Sequence, residues 1–398
     1  MRHFDFLTPQ QRTALFAVQP AEFTRDSDPA VLSISLGATL YSPGDRRSLA
    51  GDARRAAAIG TTSQVWCLED SIPHGEVEQA QSNVVAQLAE LHGQSGSHLP
   101  LLFIRVRTPE QILEIIRGAG AAAAELTGFV LPKIAPGKQG EAFLEAVVQA
   151  SQESGRHLYG LPVLEHEDLA WSETRAAHLS ALRQLFVGFR SHILSLRVGG
   201  TDLCGLFGLR RDRGTTIWDV AVVRDALCDV VNVFGRRGDY ALSGPVWEHF
   251  HSSDRLFKPQ LRATPFEQGG WMRLRQQLLR DDADELLREV LLDRANGFLG
   301  KTVIHPTHVT IVNTLHAVSK EEHDDALVVQ AGRGRGGAVR SASNNKMNEI
   351  GPHELWAEQS LARAAVYGVL ARQDSALELL ERGRVVADAH FLPRGVPA

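Results

Sequence analysis

The sequence predicts a parallel (β/α)8 barrel followed by a helical tail. Three observations carry this. Between residues 32 and 306, eight short apolar runs ending in Gly, Pro or a charged residue alternate with segments of helical period. Charged residues gather at the C-terminal ends of those runs, the face on which a parallel barrel assembles its site. The first strand–helix turn lacks G-x-G-x-x-G, which weighs against a doubly wound dinucleotide-binding sheet.

Residues 1–31 read as an N-terminal extension. LSISLGATLY (32–41) is the first strand; Ser42-Pro43-Gly44-Asp45 follows, then a helix over 48–59. SQVWCLED (63–70) is the second, with its helix over 75–92. LPLLFIRVR (99–107) is the third, and Thr108-Pro109-Glu110 starts a helix with Pro just inside it. GFVLPKI (128–134), HLYGLPVLE (157–165), ILSLRVGGTD (193–202), DYALSGPVW (239–247) and GKTVIHP (300–306) complete the eight. The barrel is expected over 32–318, with an insertion at about 248–282 whose polar, aromatic part from His249 to Gly270 reads as a long loop. Residues 319–398 read as a C-terminal helical lid or tail: a helix over 319–331, a flexible Gly/Ser/Asn-rich loop over 332–346, and one or two amphipathic helices over 352–383.

Composition narrows the function. The chain has 398 residues, 43% apolar and 22% charged, as a globular protein does. Its net charge of −5 gives no global basic field for nucleic acid or anionic lipid. Three scattered cysteines support neither a disulfide framework nor a thiolate zinc site. With no signal-peptide core and no run of about 18 apolar residues, a cytoplasmic, membrane-free protein is expected.

The strand ends carry Asp45, Glu69 and Asp70, Arg105 and Arg107, Lys133, Glu165, Asp202 and His305. Burying so many charges costs several kcal/mol each unless they pair or bind an ion. Glu165 and Asp202 end consecutive strands, which lie about 4.8 Å apart. Two carboxylates there either share a hard cation such as Mg²⁺ or answer locally, by pairing with Arg105 or capping the next helix; the metal reading is preferred. Strand alternation puts Arg105 and Arg107 on one face, where a guanidinium fork suits a carboxylate or phosphate; a salt bridge to Glu69 or Asp70 is the alternative. Lys133 reads as a cation balancing these acids rather than a Schiff-base lysine. His305 reads as structural, Cys67 as a small buried hydrophobe, GRGRGG (332–337) as a hinge rather than an RNA-binding stretch, and Arg237-Gly238-Asp239 as chance.

LYSPGDRRSL, VWCLEDSIP, FIRVR, GFVLPKI, LPVLE, LRVGGTDLCGLFG and GKTVIHPTHVTIVN occur in that order. The set resembles the citrate lyase β-subunit-like (HpcH/HpaI aldolase) superfamily, which includes malyl-CoA and citramalyl-CoA lyases. KMNEIGPHELWA (346–357) is similar to the tail of one branch, the TIM-barrel C–C bond lyases of tellurium-resistance and stress gene clusters. The resemblance implies a cytoplasmic, Mg²⁺-dependent (or Mn²⁺-dependent) lyase or aldolase that works on a β-hydroxy acid or its acyl derivative through a metal-stabilised enolate. It implies Glu165 and Asp202 as metal ligands, Arg105 on the substrate's carboxylate or acyl oxygen, and Glu69 and Asp70 as the acidic pair ordering this centre. Asp45 and Arg46 match the first-loop motif, and together with Arg105, Arg107 and Lys133 they are the expected substrate-binding residues. Glu349 falls where the lyases carry a lid aspartate that can reach a neighbouring subunit's site, which makes it one candidate base for the β-hydroxyl proton; a metal-bound water is the other. The partners implied are a small oxo- or hydroxy-acid, or an acyl-CoA, and further copies of the chain in a trimer or hexamer. Arg107 where relatives carry asparagine, and Glu349 in place of Asp, point to an anionic substrate other than a CoA thioester. Two other readings stand beside this one: a metal-dependent phosphate-ester or phosphoenolpyruvate-type barrel, suited by Arg105 plus Arg107, and a non-catalytic binding barrel.

Overall fold

The computed structural model describes residues 1–93, 99–250, 261–280 and 283–391. Eight parallel strands form one sheet: β1 (Ala38–Pro43), β2 (Ser63–Cys67), β3 (Leu101–Arg105), β4 (Leu126–Leu131), β5 (Tyr159–Leu164), β6 (Leu196–Val198), β7 (Leu242–Ser243) and β8 (Lys301–Val303). Each pairs with the next in sequence, and β8 pairs with β1 through Ala38↔Lys301, Thr39↔Thr302 and Leu40↔Val303. A single bridge, Gly244↔Lys301, joins the β7 end to β8 and closes the ring. This is the expected (β/α)8 barrel, wrapped by helices that include Leu49–Ala58, Val77–His92, Pro109–Ala119 and Lys138–Ser154. The third-strand helix starts as its sequence predicts, with Thr108 accepting from Gln111 N–H and Pro109 in the first turn.

Strand parity separates two cores. Val65, Leu101, Phe103, Val130, Leu161 and Val163 pack together, while Trp66, Leu102, Ile104, Phe129, Leu131 and Leu164 belong to the cluster under the helices. The first parity carries Arg105 on β3 and leads to Glu165, the residue just past β5, so these charges stand above a packed apolar plug.

Residues 29–35 depart from expectation. LSIS at 32–35 lies in a helix, Pro29–Ser35, and the first strand begins only at Ala38. Asp28 caps that helix by accepting from Ala30 N–H at 2.7 Å, and Pro29 fixes its first φ. The extension is integrated rather than appended: Phe16–Val18 pairs with Val369–Leu370, and Phe4, Leu7, Leu15 and Phe16 bury with Val366, Tyr367, Leu370 and Leu379.

The insertion is more ordered than a loop. Residues 251–260 and 281–282 lie outside the described set, but Thr264–Gln268 and Met272–Arg280 are helices that bury Phe266, Leu274 and Leu278 beside Trp247 and Leu286. In the tail, Lys320–Ala331, Ile350–Tyr367 and Ser375–Phe391 are helices, whereas residues 392–398 lie outside the described set. The stretch expected to be a flexible loop supplies Ala338–Arg340, one arm of a hairpin with Met347–Glu349. Helix Ile350–Tyr367 docks where strands begin: Tyr367 donates to Ile34 O at 2.9 Å, and Gln359 lies beside Gly238, ahead of β7. Within one chain this helix therefore sits beneath the barrel and does not cover its mouth.

Candidate active site

At the C-terminal rim, a cavity of about 440 Å³ is lined by Tyr41, Asp70, Arg105, Glu165, Arg197, Thr201, Asp202 and Thr302, among others. Its centre is a web of charge. One Arg105 nitrogen, Nη2, contacts Glu69 Oε2 at 2.8 Å, Asp70 Oδ2 at 3.2 Å and Glu165 Oε1 at 3.0 Å. Lys133 Nζ lies 2.7 Å from Glu69 Oε1, 3.4 Å from Asp70 Oδ1 and 3.5 Å from Asp202 Oδ1. The structure thus brings together Glu69, Asp70, Arg105, Lys133, Glu165 and Asp202 from the ends of five strands.

Local backbone geometry sets the pair Glu165 and Asp202. Lys133, just past β4, adopts φ +46°, a conformation costing an L-residue about 1 kcal/mol or more. Its N–H donates to Glu165 Oε1 at 3.0 Å, so both hydrogen bonds to this carboxylate fall on Oε1. Oε2 turns towards Gly199, where a Cβ would overlap it; glycine is required there for the close approach. Three residues on, Asp202 stands in the first turn of helix Gly200–Leu206.

The electrostatics follow. Burial raises the Glu165 carboxyl to about 7; Arg105 and the Lys133 N–H pull it back, while Asp202 pushes it further up. Burial also raises Glu69, against the pull of Arg105 and Lys133. Burial alone would lower Arg105 and Lys133, but the surrounding acids outweigh it and hold both cations firmly protonated.

Other sequence-predicted residues lie elsewhere. Arg107 does not share a face with Arg105, because β3 ends at Arg105. Its guanidinium binds the loop after β2 instead, donating to Leu68 O at 2.8 Å, Glu69 O at 2.7 Å and Ile72 O, with His74 Nδ1 at 2.8 Å. Arg107 therefore positions the Glu69–Asp70 loop. Asp45 is exposed, and Arg46 pairs with Asp52 at 2.6 Å in an adjoining cavity of about 230 Å³ that shares Tyr41 and Ile304 with the first. Glu349 is exposed at the hairpin end, where its N–H donates to His353 at 3.1 Å, and it does not line the cavity of its own chain.

Arg197 on β6 was not singled out from the sequence. It is 1% exposed and lines the cavity from inside the barrel. It donates to Thr39 Oγ1 at 3.2 Å and Thr302 Oγ1 at 2.6 Å, and its guanidinium lies 5.6 Å from the Tyr41 ring centroid. Hydroxyls carry no neutralising charge, so Arg197 keeps a positive pole inside the barrel. An arginine inside the apolar run LSLRV was the signal available.

The sequence matches the family described as C–C bond lyases of the TIM-barrel fold over residues 30–369. The chain belongs to that family. Among solved structures, this C–C bond lyase is similar to the protein CitE from Mycobacterium tuberculosis in complex with magnesium, acetoacetate and coenzyme A. Identity is 18%, coverage is 83% of this chain and 99% of the other, and the TM-score is 0.51. A citrate lyase from Burkholderia xenovorans LB400 has 16% identity, coverage of 86% and 95%, and a TM-score of 0.57. At such identities the likeness establishes the fold alone. Compared with curated protein sequences, the lyase has no significant match. Among the described residues, no helix is long and apolar enough to cross a membrane.

Proposed function

We propose that this lyase makes or breaks a carbon–carbon bond β to a carbonyl in a small anionic oxo- or hydroxy-acid, with Mg²⁺ or Mn²⁺ held by Glu165 and Asp202. The supporting observation is the convergence of those two carboxylates with Arg105 and Arg197 on one cavity of about 440 Å³. The donors fit the ion: both are hard oxygens, Glu165 Oε2 carries no hydrogen bond, and Asp202 lies close enough to raise its neighbour's pKa. When bound, such an ion polarises a carbonyl oxygen and orients an adjacent carboxylate.

The chain's own residues do the rest. Arg105, fixed by three carboxylates, aims preorganised positive charge at oxygens where negative charge develops. Arg197 attracts a second anionic group at the cavity's inner end. Lys133 shields Asp202 and Glu69 from one another through its ammonium. Glu349, distant from its own cavity, serves as the base for the β-hydroxyl proton from a neighbouring subunit, which makes turnover depend on a homo-oligomer. The phosphate-type alternative loses its basis, since Arg107 is committed to loop carbonyls.

Calorimetric titration with Mg²⁺ tests the ligand assignment: Glu165→Gln and Asp202→Asn should each abolish binding and, with it, Mg²⁺-dependent binding of oxaloacetate, pyruvate or glyoxylate. Undiminished Mg²⁺ affinity in Glu165→Gln would show that this ligand is misassigned.

A further inference from the structure

Behind the candidate active site, the turn after β5 meets the helix Ser172–Gly188 at a second cluster of ligand-bearing side chains. Asp168 Oδ2 lies 3.4 Å from His166 Nδ1 and 3.6 Å from His178 Nδ1. One ligand atom from each residue falls within 4.8 Å of the others, and the two imidazoles stack at a centroid separation of 5.1 Å, 15° from parallel. None of the three lines the active-site cavity.

We infer that His166, Asp168 and His178 form a site for a borderline transition-metal ion, Zn²⁺ above all, separate from the Mg²⁺ position at Glu165 and Asp202. Two separations are long for hydrogen bonds, which cluster at about 2.7–3.2 Å. They match the edge of a tetrahedron: bonds of about 2.0–2.2 Å place the ligand atoms about 3.3–3.6 Å apart. His178 supplies the independent evidence. Its side chain is 3% exposed and faces Asp168, yet its buried Nδ1 has no hydrogen-bond partner. Such a nitrogen loses its hydration without compensation unless an ion or a proton-sharing partner fills the gap.

The support is rigid on one side and open on the other. Arg175, one turn before His178 on the same helix face, donates to Leu169 O and Ala170 O at 2.7 Å each and so ties the turn to the helix. His166 and Asp168 have side chains 31% and 42% exposed, which leaves a fourth coordination position towards solvent; His166 Nδ1 accepts the Asp168 N–H at 3.3 Å, a long bond that it would exchange for the ion. Two imidazoles and one carboxylate favour zinc over magnesium, which prefers oxygen ligands alone. Because His166 follows Glu165 directly, an ion here would stiffen the loop that holds the active-site carboxylate.

The test is calorimetric titration of the chelator-treated full chain with Zn²⁺ in excess Mg²⁺, together with the visible spectrum after Co²⁺ addition. One equivalent of Zn²⁺ and an intense, tetrahedral-type Co²⁺ band are expected. Asp168→Asn and His166→Gln, both at partly exposed positions, should weaken Zn²⁺ binding by more than about tenfold, as His178→Ala should. Glu165→Gln should leave it intact, which separates this site from the Mg²⁺ assignment. Absence of stoichiometric Zn²⁺ binding in the wild type overturns the inference. Wild-type affinity in Asp168→Asn and His166→Gln, or loss of the site in Glu165→Gln alone, does so equally.

Discussion

Replacing Lys301 by methionine isolates a buried charge network at the start of β8. Lys301 opens β8 and is 0% exposed. Its ammonium lies 2.7 Å from Glu289 and 2.7 Å from Asp293, one turn apart on helix Ala283–Ala295. Arg211 neutralises Glu289 at 2.7 Å, whereas among the described residues Asp293 has only the Trp218 indole N–H, at 2.8 Å, as a further donor. Removing the ammonium therefore strands Asp293 as an unpaired buried carboxylate, which takes up a proton instead. Its pKa is already raised, by burial first, against the pull of Lys301. An unfolded aspartate titrates near 3.9, so holding it protonated costs about 4 kcal/mol at pH 7 and about 1.5 kcal/mol at pH 5. The first figure agrees with the roughly 3–5 kcal/mol known for breaking buried pairs. In thermal unfolding, Lys301→Met should lower Tm by about 5 °C at pH 7, at about 1.2 °C per kcal/mol for a chain this large. The sign follows from the folded variant binding more protons than its unfolded chain: the deficit relative to wild type should shrink towards pH 5. Adding Asp293→Asn should recover much of the loss at pH 7. A deficit below about 1 kcal/mol at pH 7, or one equal at both pH values, would refute the argument.

Four further outcomes are expected. Because Glu165 titrates near 7, Mg²⁺ must displace a proton below that pH; its affinity should fall about tenfold per pH unit from 7 to 5 and level off above, with proton release measured by calorimetry in two buffers. Arg197→Met should weaken oxaloacetate binding by about 10- to 100-fold while sparing Mg²⁺ affinity, since a charge-assisted hydrogen bond is worth about 1.5–3 kcal/mol. Arg107→Gln should destabilise the chain by about 1–3 kcal/mol in urea unfolding, through the carbonyls of Leu68, Glu69 and Ile72 that it leaves unpaired. Glu349→Gln mixed with Glu165→Gln should regain part of the activity that neither shows alone; no recovery from a demonstrably mixed oligomer would refute a base supplied by a neighbour.

Residues that depend on strand ends were legible in the sequence. Glu165 and Asp202 follow consecutive apolar runs, and a closed parallel sheet sends both to one rim. Arg107 was misread because alternation holds only while the chain stays extended, and β3 stops two residues short of it. The helix Pro29–Ser35 hid behind LSIS, where Leu32 and Ile34 alternate with two serines over a stretch too short to discriminate; Asp28-Pro29 was the better guide. Glu289 and Asp293 escaped attention because their partners, Arg211 and Lys301, are set by tertiary packing. The hairpin Ala338–Arg340 with Met347–Glu349 was likewise hidden inside a Gly/Ser-rich stretch.

Charge balance joins these pieces. Around the cavity stand four carboxylates, Glu69, Asp70, Glu165 and Asp202, and two cations that touch them, Arg105 and Lys133. Burial is what raises Glu165, and the nearby Asp202 adds to it against the pull of Arg105 and Lys133: with two negative charges unmatched, a proton is the cheapest neutraliser of the buried carboxylate. One divalent ion, held by Glu165 and Asp202 as proposed, would meet the same deficit and let Glu165 ionise. Arg197, held by two threonine hydroxyls, then leaves the cavity with an excess positive charge at its inner end. A substrate entering that site completes the balance only by bringing an anionic group, which is why a carboxylate-bearing acid suits this cavity better than a neutral aldehyde or ketone.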